Sequence, residues 1–568
     1  MKKTLILLCL MVVGLFAYRP FVDMPPDYQG NTGYSLPYTG NRASPGIEVG
    51  ITDYDFQNNG SLGRYVWLTG AGGMHFYWTY SFGATGTNRR AYYNYYFPPS
   101  YWLGAMPMDT AQSRMGAMET MSDGRALGSA HASVTGGYAT RVYLDAAEGA
   151  GTFTTKDLPD AGATTTPIWP KQCVDQNDNI YAVATVNGGT HAFWTKSTDE
   201  GDTWLPWDSV INTTNAGPIP LRLADYYLQA GRESWASSHA SNWTMLANSS
   251  GDLLSKVCWE TDGNNWYFDT IWTWTPTDSV FPWFWTSVVY DNNYYAHVVF
   301  DVQDTAASGG GAQQSGWASQ IWHWNQETDA ITPVDGGMGW YFTNPGPGYN
   351  HGTVSEPQMC IDRATGTLYC TWTYADSLDV AANGYINEDI WGARSTDNGA
   401  TWIDHHNITN SPTPGAATGF CDADRWQTLA EETVGSDILL FYMNDKEAGA
   451  AAFGDATAYT DNPMLFYQYT WPGIEENNTE TPRRLSLTAA PNPFVRNTVL
   501  SYALPTAGNV SIKLYSVDGR LVQTVQDGRQ DAGVYTANVD ARQLANGTYF
   551  VVLDAANEKV TKSLVVVR

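Results

Sequence analysis

The sequence predicts an all-β protein: a six- or seven-bladed β-propeller followed by a small Ig-like β-sandwich. Three observations predict it. Aromatic residues make up 14% of the 568 positions, with 24 Trp and 35 Tyr beside 54 Gly, and only 15% are charged. Aromatics suit half-buried pleated surfaces and Gly suits tight turns. Strand-length apolar runs split by Asp, Gly and Asn turns return at intervals of roughly 45–70 residues, with no helical period between them. After residue 484 the composition turns Val-rich and almost loses Trp.

The elements follow in order. Lys2 and Lys3 precede an apolar run from Leu5 to Ala17, too short to span a bilayer and ending on a small residue. This reads as a secretory signal peptide over residues 1–17, with Leu15 a poor match to the usual small residue before the cut. No other long apolar stretch follows, so no transmembrane segment is expected in the mature chain. Residues 18–60 contain GIEVGITDYDF (Gly46–Phe56), a strand expected to pair with the last blade and close the ring.

The propeller is expected over residues 61–471. Seven hairpins mark it, each a strand, an Asp- or Gly-led turn and an apolar strand: Trp67–Tyr80, Glu119–Ser133, Cys173–Val186, Leu246–Trp259, Val288–Phe300, Cys360–Thr373 and Val434–Asp445. Third strands follow several of them, as in THAFWTKS and DIWGARS. Seven hairpins imply seven blades, with six as the alternative.

Two third strands run into nearly the same octapeptide, STDEGDTW (Ser197–Trp204) and STDNGATW (Ser395–Trp402). The pattern resembles the Asp box, or BNR repeat, of sialidase-type propellers, where it shapes the turn between a blade's third and fourth strands. In that reading Ser197, Asp199, Gly201 and Trp204, and likewise Ser395, Asp397, Gly399 and Trp402, are structural. Asp accepts backbone N–H bonds within its own turn, Gly takes φ > 0, and Trp packs back on the blade. ETDGNNW (Glu260–Trp266) is a degenerate copy.

Residues 472–484 are polar and unpatterned and read as a linker. Residues 485–568 resemble the type A C-terminal sorting domain of the type IX secretion system. The resemblance rests on PNPF (Pro491, Asn492, Pro493, Phe494), on LYSVDGRLV with Gly519, on GTYF with Gly547 and Tyr549, and on KSLVVVR from Lys562 to the last residue. It implies export, the type IX machinery as a partner, and a secreted or surface-attached product.

Formal charge is −27, from 30 basic and 57 acidic residues. Such a surface repels nucleic acid and anionic membrane. Beyond the leader lie Cys173, Cys258, Cys360, Cys370 and Cys421, an odd count and no disulfide framework. Cys360 and Cys370 flank one hairpin turn and are the candidate disulfide; the alternative is buried thiols. No Cys/His spacing suggests zinc, and no P-loop, Rossmann or G-x-S-x-G pattern is present. The acidic stretches DQNDN (Asp175–Asn179) and DADRW (Asp422–Trp426) are the only calcium candidates, and neither completes an EF-hand loop. His75, His131 and His297 fall on hairpin strands and are expected inside the blades. His405 and His406 are adjacent and face opposite sides of a strand, a poor metal pair.

The resemblance to sialidases implies three arginines on a carboxylate, a Tyr–Glu nucleophile and an Asp acid. No Arg-Ile-Pro opening is present. Among the scattered arginines, Arg64, Arg141, Arg222, Arg363, Arg394 and Arg425 could in principle converge. The leading expectation is therefore an exported protein that binds glycans or proteins, and the alternative is a sialidase-type exo-glycosidase. The best ligand-binding candidates are Trp272 and Trp274 before the proline-flanked TPTDSVFP, read as a loop between blades 4 and 5, and Trp283 and Trp285 after it. The competing reading places these rings in the core.

Overall fold

The computed structural model describes residues 43–471 and 486–567, apart from short internal stretches of which 212–221, 230–239, 305–317 and 336–345 are the longest. Over residues 207–284 it describes backbone alone. The proposed leader and the linker lie outside the described residues. The chain divides into two compact units between Thr470 and Trp471.

The first unit holds seven antiparallel sheets, each built on a path of four strands. Blade 1 starts at Val66–Leu68, blade 2 at Ser113–Thr120, blade 3 at Ile168–Val174 and blade 4 at Arg222–Gln229. Blade 5 starts at Val280–Tyr290, blade 6 at Val354–Asp362 and blade 7 at Ala423–Leu429. These first strands are innermost, and each touches the next blade around the ring. Blade 7 takes its outermost strand from the other end of the unit: Ile47–Thr52 pairs with Asn462–Thr470, Ile47 opposite Phe466 and Thr52 opposite Asn462. Blade 1 in turn touches the second strand of blade 7. The ring is closed, and the architecture is a seven-bladed propeller.

Apolar alternation along each strand places the core between neighbouring blades. Phe76 and Trp78 of blade 1 pack with Phe441, Met443 and Phe466 of blade 7, while Val289 and Val299 of blade 5 pack with Met359, Ile361 and Trp372 of blade 6. Trp78, Trp324, Trp372 and Trp426 are wholly buried. Each such ring contributes about 4–6 kcal/mol of hydrophobic drive at about 25 cal/mol per Å².

The innermost strands of blades 2 to 7 each break register at one place. A non-Gly residue takes a left-handed backbone at that break in blade 2 (Met115, φ 54°), blade 3 (Trp169, φ 55°), blade 6 (Glu356, φ 56°) and blade 7 (Trp426, φ 55°). A bulge re-aims its side chains, here onto the adjoining blade: Gln172 Nε2 donates to Ala117 O at 3.0 Å, and Trp426 N donates to Glu356 Oε2 at 2.7 Å.

Three expectations need correction. The hairpin Leu246–Trp259 joins the second and third strands of blade 4, Ala240–Ala247 and Leu253–Glu260, and not the first and second. TPTDSVFP is not wholly a loop, because Pro282 lies inside Val280–Tyr290, opposite Val302. An innermost strand is an edge with one free side, so it tolerates a residue without N–H. Cys360 and Cys370 form no disulfide: both are buried free thiols. Their hairpin pairs Cys360 with Tyr369 and Met359 with Cys370, so the two sulfurs point to opposite faces of the sheet.

The second unit is a sandwich of a three-stranded sheet and a four-stranded sheet around Leu487, Leu500, Ile512, Leu514, Val551 and Leu564. Its motifs meet in space. Asn492 Oδ1 accepts from Val565 N at 2.8 Å and its Nδ2 donates to Ser563 O at 2.8 Å. Buried Phe494 forms a parallel bridge with Val566. PNPF thus clasps the final strand; Pro491 and Pro493 lie outside the described residues. Gly519 takes φ 81° in the VDGR turn, and Gly547 takes φ 148° at the start of its strand. Tyr549 is buried with its hydroxyl on Ala545 O at 3.0 Å, and Lys562 is exposed.

Candidate functional site

Antiparallel order sorts a blade's connections. Turns joining first to second and third to fourth strands lie at one end of the ring. The starts of first and third strands lie at the other, here called the mouth end.

Both octapeptides sit at the turn end, between third and fourth strands, and fold alike. Ser197 Oγ donates to Asp199 Oδ1 at 2.9 Å and accepts from Gly201 N at 2.8 Å. Asp199 also accepts from Thr203 N at 2.8 Å and Thr203 Oγ1 at 2.6 Å. Those Thr203 bonds hold its carboxyl below the usual range. Ser395, Asp397, Gly399 and Thr401 repeat the arrangement at 2.8, 2.8, 2.9 and 2.6 Å. Gly201 and Gly399 both have φ 84°. Trp204 is half-buried with Nε1 on Gly201 O at 3.0 Å, and Trp402 is buried against blade 5. Each turn leans on the preceding blade. Glu200 and Asp202 meet Arg125 and Lys156, while Thr332 Oγ1 donates to Gly399 O at 2.7 Å. A third copy escapes sequence matching in DAAEGAGT: Asp145 replaces Ser and accepts from Ala146 N, Gly151 N and Thr152 N.

The mouth end of blades 6 and 7 gathers the densest charge. His351 precedes the first strand of blade 6, Glu356 is its bulge residue and Glu388 lies near the start of its third strand. Arg425 lies early in the first strand of blade 7, Asp445 ends its second, and Asp55 follows the closing strand. His351 Nδ1 is 2.7 Å from Glu388 Oε1, and its Nε2 is 3.3 Å from Glu356 Oε1. Arg425 Nε lies 3.3 Å from Glu388 Oε2, and its Nη1 donates to Gly449 O at 2.6 Å. Burial works against the His351 proton, but Glu388 and Glu356 hold it, so its pKa is raised. Burial lifts Asp55 to about 6 against the pull of Arg425, and burial with the Asp55 charge lifts Asp445 well above the carboxylate range. Trp285 and Trp426 close over His351, with ring centroids 5.8 and 5.4 Å away. His351, Glu356, Glu388 and Arg425 are at most 2% exposed. This network ties two blades together and is sealed from any ligand.

The six arginines named from the sequence do not converge where described. Arg64 spans three blades, donating to Leu429 O at 2.8 Å, Met359 O at 3.0 Å and Val288 O at 3.3 Å. Arg141 binds Asp109 and Asp157, Arg363 binds Glu431 and Glu432, Arg394 binds Asp404, and Arg425 is in the sealed network. The Arg222 side chain lies outside the description, as do Trp272, Trp274 and Trp283. Trp285 is 1% exposed and is core.

The calcium candidates are spent as well. Asp175 accepts from Asn177 N, Asn179 N and Asn179 Nδ2, and Asp178 accepts from Ser122. Asp422 pairs with Lys446 at 2.6 Å, and burial lifts Asp424 to about 7. Among the described residues, no group of three or more His, Cys, Asp or Glu is placed to hold a metal ion. His75 is buried between Tyr93 OH and Gly124 O, both at 2.8 Å, and His297 stacks on His323. His405 bonds Val334 O and His406 bonds Asp404 O, in different directions.

Residues 488–567 match the family described as secretion system C-terminal sorting domain. The protein is therefore one exported by the type IX secretion system to the cell surface or the extracellular space. No curated protein matches the chain. Among solved structures it is similar to a Penicillium chrysogenum α-L-arabinanase, at 10% identity over 63% of this chain and 93% of that one, with a TM-score of 0.39. It is also similar to a Hadza microbial sialidase (11%, 67% and 73%, 0.35) and a leech intramolecular trans-sialidase (11%, 76% and 70%, 0.36). The propeller assignment rests on the sheets themselves.

Proposed function

We propose that this exported protein works outside the cell as a glycan-binding propeller and not as a sialidase-type glycosidase. The carrying observation is the dispersal of its arginines: each described member of the six is consumed by carbonyls or by carboxylates of its own neighbourhood. The buried acids nearest the mouth of blades 6 and 7 are enclosed by Trp285 and Trp426. Binding chemistry remains. Tyr138 and Phe420, 45% and 77% exposed, present aromatic faces at the mouth end, and such rings stack on sugars. The test pairs a glycan array with a fluorogenic sialoside assay on the purified mature protein. Saturable array binding without product release is expected. Steady release of free sugar, or an array that stays blank while a protein ligand is captured, overturns the reading.

A further inference from the structure

At the mouth end between blades 1 and 2 lies an open recess lined by cationic and neutral side chains. Arg89 enters it from just before the third strand of blade 1. Arg114 comes from the first strand of blade 2, His131 from the end of its second strand, and Tyr138 from the start of its third. The recess lining contains no carboxylate.

The two guanidiniums are held in place by neutral partners. Arg89 Nη1 donates to Tyr54 OH at 2.9 Å, with its guanidinium 5.0 Å above that ring. Arg114 lies 6.0 Å over the Tyr138 ring, and its Nε donates to His131 Nε2 at 2.8 Å. Among the described residues neither arginine has a carboxylate within ion-pair distance, whereas Arg125, Arg141, Arg363, Arg394 and Arg425 each do.

The imidazole fixes Arg114 without neutralising it. Because His131 Nε2 accepts the Arg114 hydrogen bond, its own proton resides on Nδ1. Burial, Arg114 and Arg89 all press against a second proton, so the ring stays neutral with Nδ1–H as its donor. His131 is 2% exposed, and Nδ1 has no hydrogen-bond partner. A buried donor left without a partner costs about as much as a lost hydrogen bond, and two clustered guanidiniums repel each other. The repulsion is relieved when one anionic group enters the recess between them.

We propose that this recess is an oxyanion-binding site, in which Arg89 and Arg114 hold one sulfate- or carboxylate-type group of the ligand, His131 fixes Arg114 in place and Tyr138 covers it. The proposal rests on the binding reading above and supplies its chemistry: the glycan recognised carries negative charge. A chain of net charge −27 repels such a glycan on the whole, so a local cationic recess gives register as well as affinity.

The test uses the mature full chain and simple probes, namely sodium sulfate, inorganic phosphate and acetate against chloride at constant ionic strength. Binding is read by calorimetry and melting temperature. Saturable binding of at least one oxyanion is expected, and comparing sulfate with acetate tells which geometry the recess prefers. Arg89→Gln and Arg114→Gln should each weaken it about tenfold or more, the usual size of a lost charge-assisted hydrogen bond. Sulfate also stabilises proteins generally, so the decisive quantity is the difference between wild type and Arg89→Gln at equal sulfate. In chloride, Arg89→Gln should melt no lower than wild type, because it removes an uncompensated cation; a purely structural Arg89 would lower it. Equal anion responses in wild type and Arg89→Gln overturn the proposal. A blank glycan array with intact, Arg89-dependent sulfate binding would sink the glycan reading and leave the oxyanion site standing.

Discussion

The two octapeptide turns offer an internal comparison. Gly201 and Gly399 occupy the same place in the same motif with the same φ of 84°, so replacing either by Ala incurs the same left-handed strain of about 1–2 kcal/mol. Their surroundings differ. A methyl at Gly201 meets Trp204 at 3.4 Å, Lys156 at 3.5 Å and Val142 at 3.6 Å, which is ordinary contact. At Gly399 it strikes the His323 ring, 2.6 Å from Nδ1, 2.8 Å from Nε2 and nearer still to Cε1. That ring cannot retreat. It is wholly buried, stacked 5.1 Å from His297 and edge-on to Trp402 at 5.4 Å, and bonded to His297 at 2.9 Å. Overpacking of this kind adds about 1–3 kcal/mol. Gly201→Ala should therefore cost about 1–2 kcal/mol and Gly399→Ala about 2–5 kcal/mol. Urea unfolding followed by tryptophan fluorescence measures both. Equal losses would refute the claim that Gly399 is wedged against His323 of blade 5 while Gly201 has room for a methyl.

Other outcomes are equally definite. Trp285→Ala should lower stability by about 3–5 kcal/mol, the usual cost of emptying a buried aromatic site, and leave glycan affinity of the folded fraction unchanged; a binding defect at normal melting temperature would place that ring in the site. Burial, reinforced by Asp389, lifts the folded-state Asp424 carboxyl to about 7, above its unfolded value, so its contribution is favourable at low pH and lost as pH rises through 7. Asp424→Asn should then gain on wild type progressively from pH 4 to 8, by up to about 4 kcal/mol at about 1.4 kcal/mol per tenfold change in proton affinity; a gain independent of pH would exclude the ionised carboxyl as the cause. Deleting residues 485–568 should leave the propeller folded but retained in the periplasm, as read by cell fractionation; unchanged surface delivery would contradict export through this domain.

What could be read from the sequence is what short-range physics controls. Five of the seven hairpins fall on first and second strands, and Val434–Asp445 covers the turn and second strand of blade 7, because turn residues and period-two alternation act within a dozen residues. The octapeptide turns were legible for the same reason: Ser197, Asp199, Gly201 and Thr203 bond to one another within a single turn. Blade 4 misled because its clearest turn joins the second and third strands, and the local signal does not say which pair it closes. The cysteine pair failed on parity: a turn of four residues sets Cys360 opposite Tyr369, and one residue of register moves a thiol to the other face. The sites were hidden for a deeper reason. His351, Glu356, Glu388 and Arg425 lie as far as 74 residues apart and meet only because neighbouring blades present the same strand end. Arg89, Arg114 and His131 carry no motif, and their meaning is the absence of a carboxylate beside them. Local pattern decided the blades, the turns and the export domain. Which charges are paired, sealed or left open was decided by closure of the ring, because a charge is neutralised by whatever lies within a few ångströms in space, however distant in the chain.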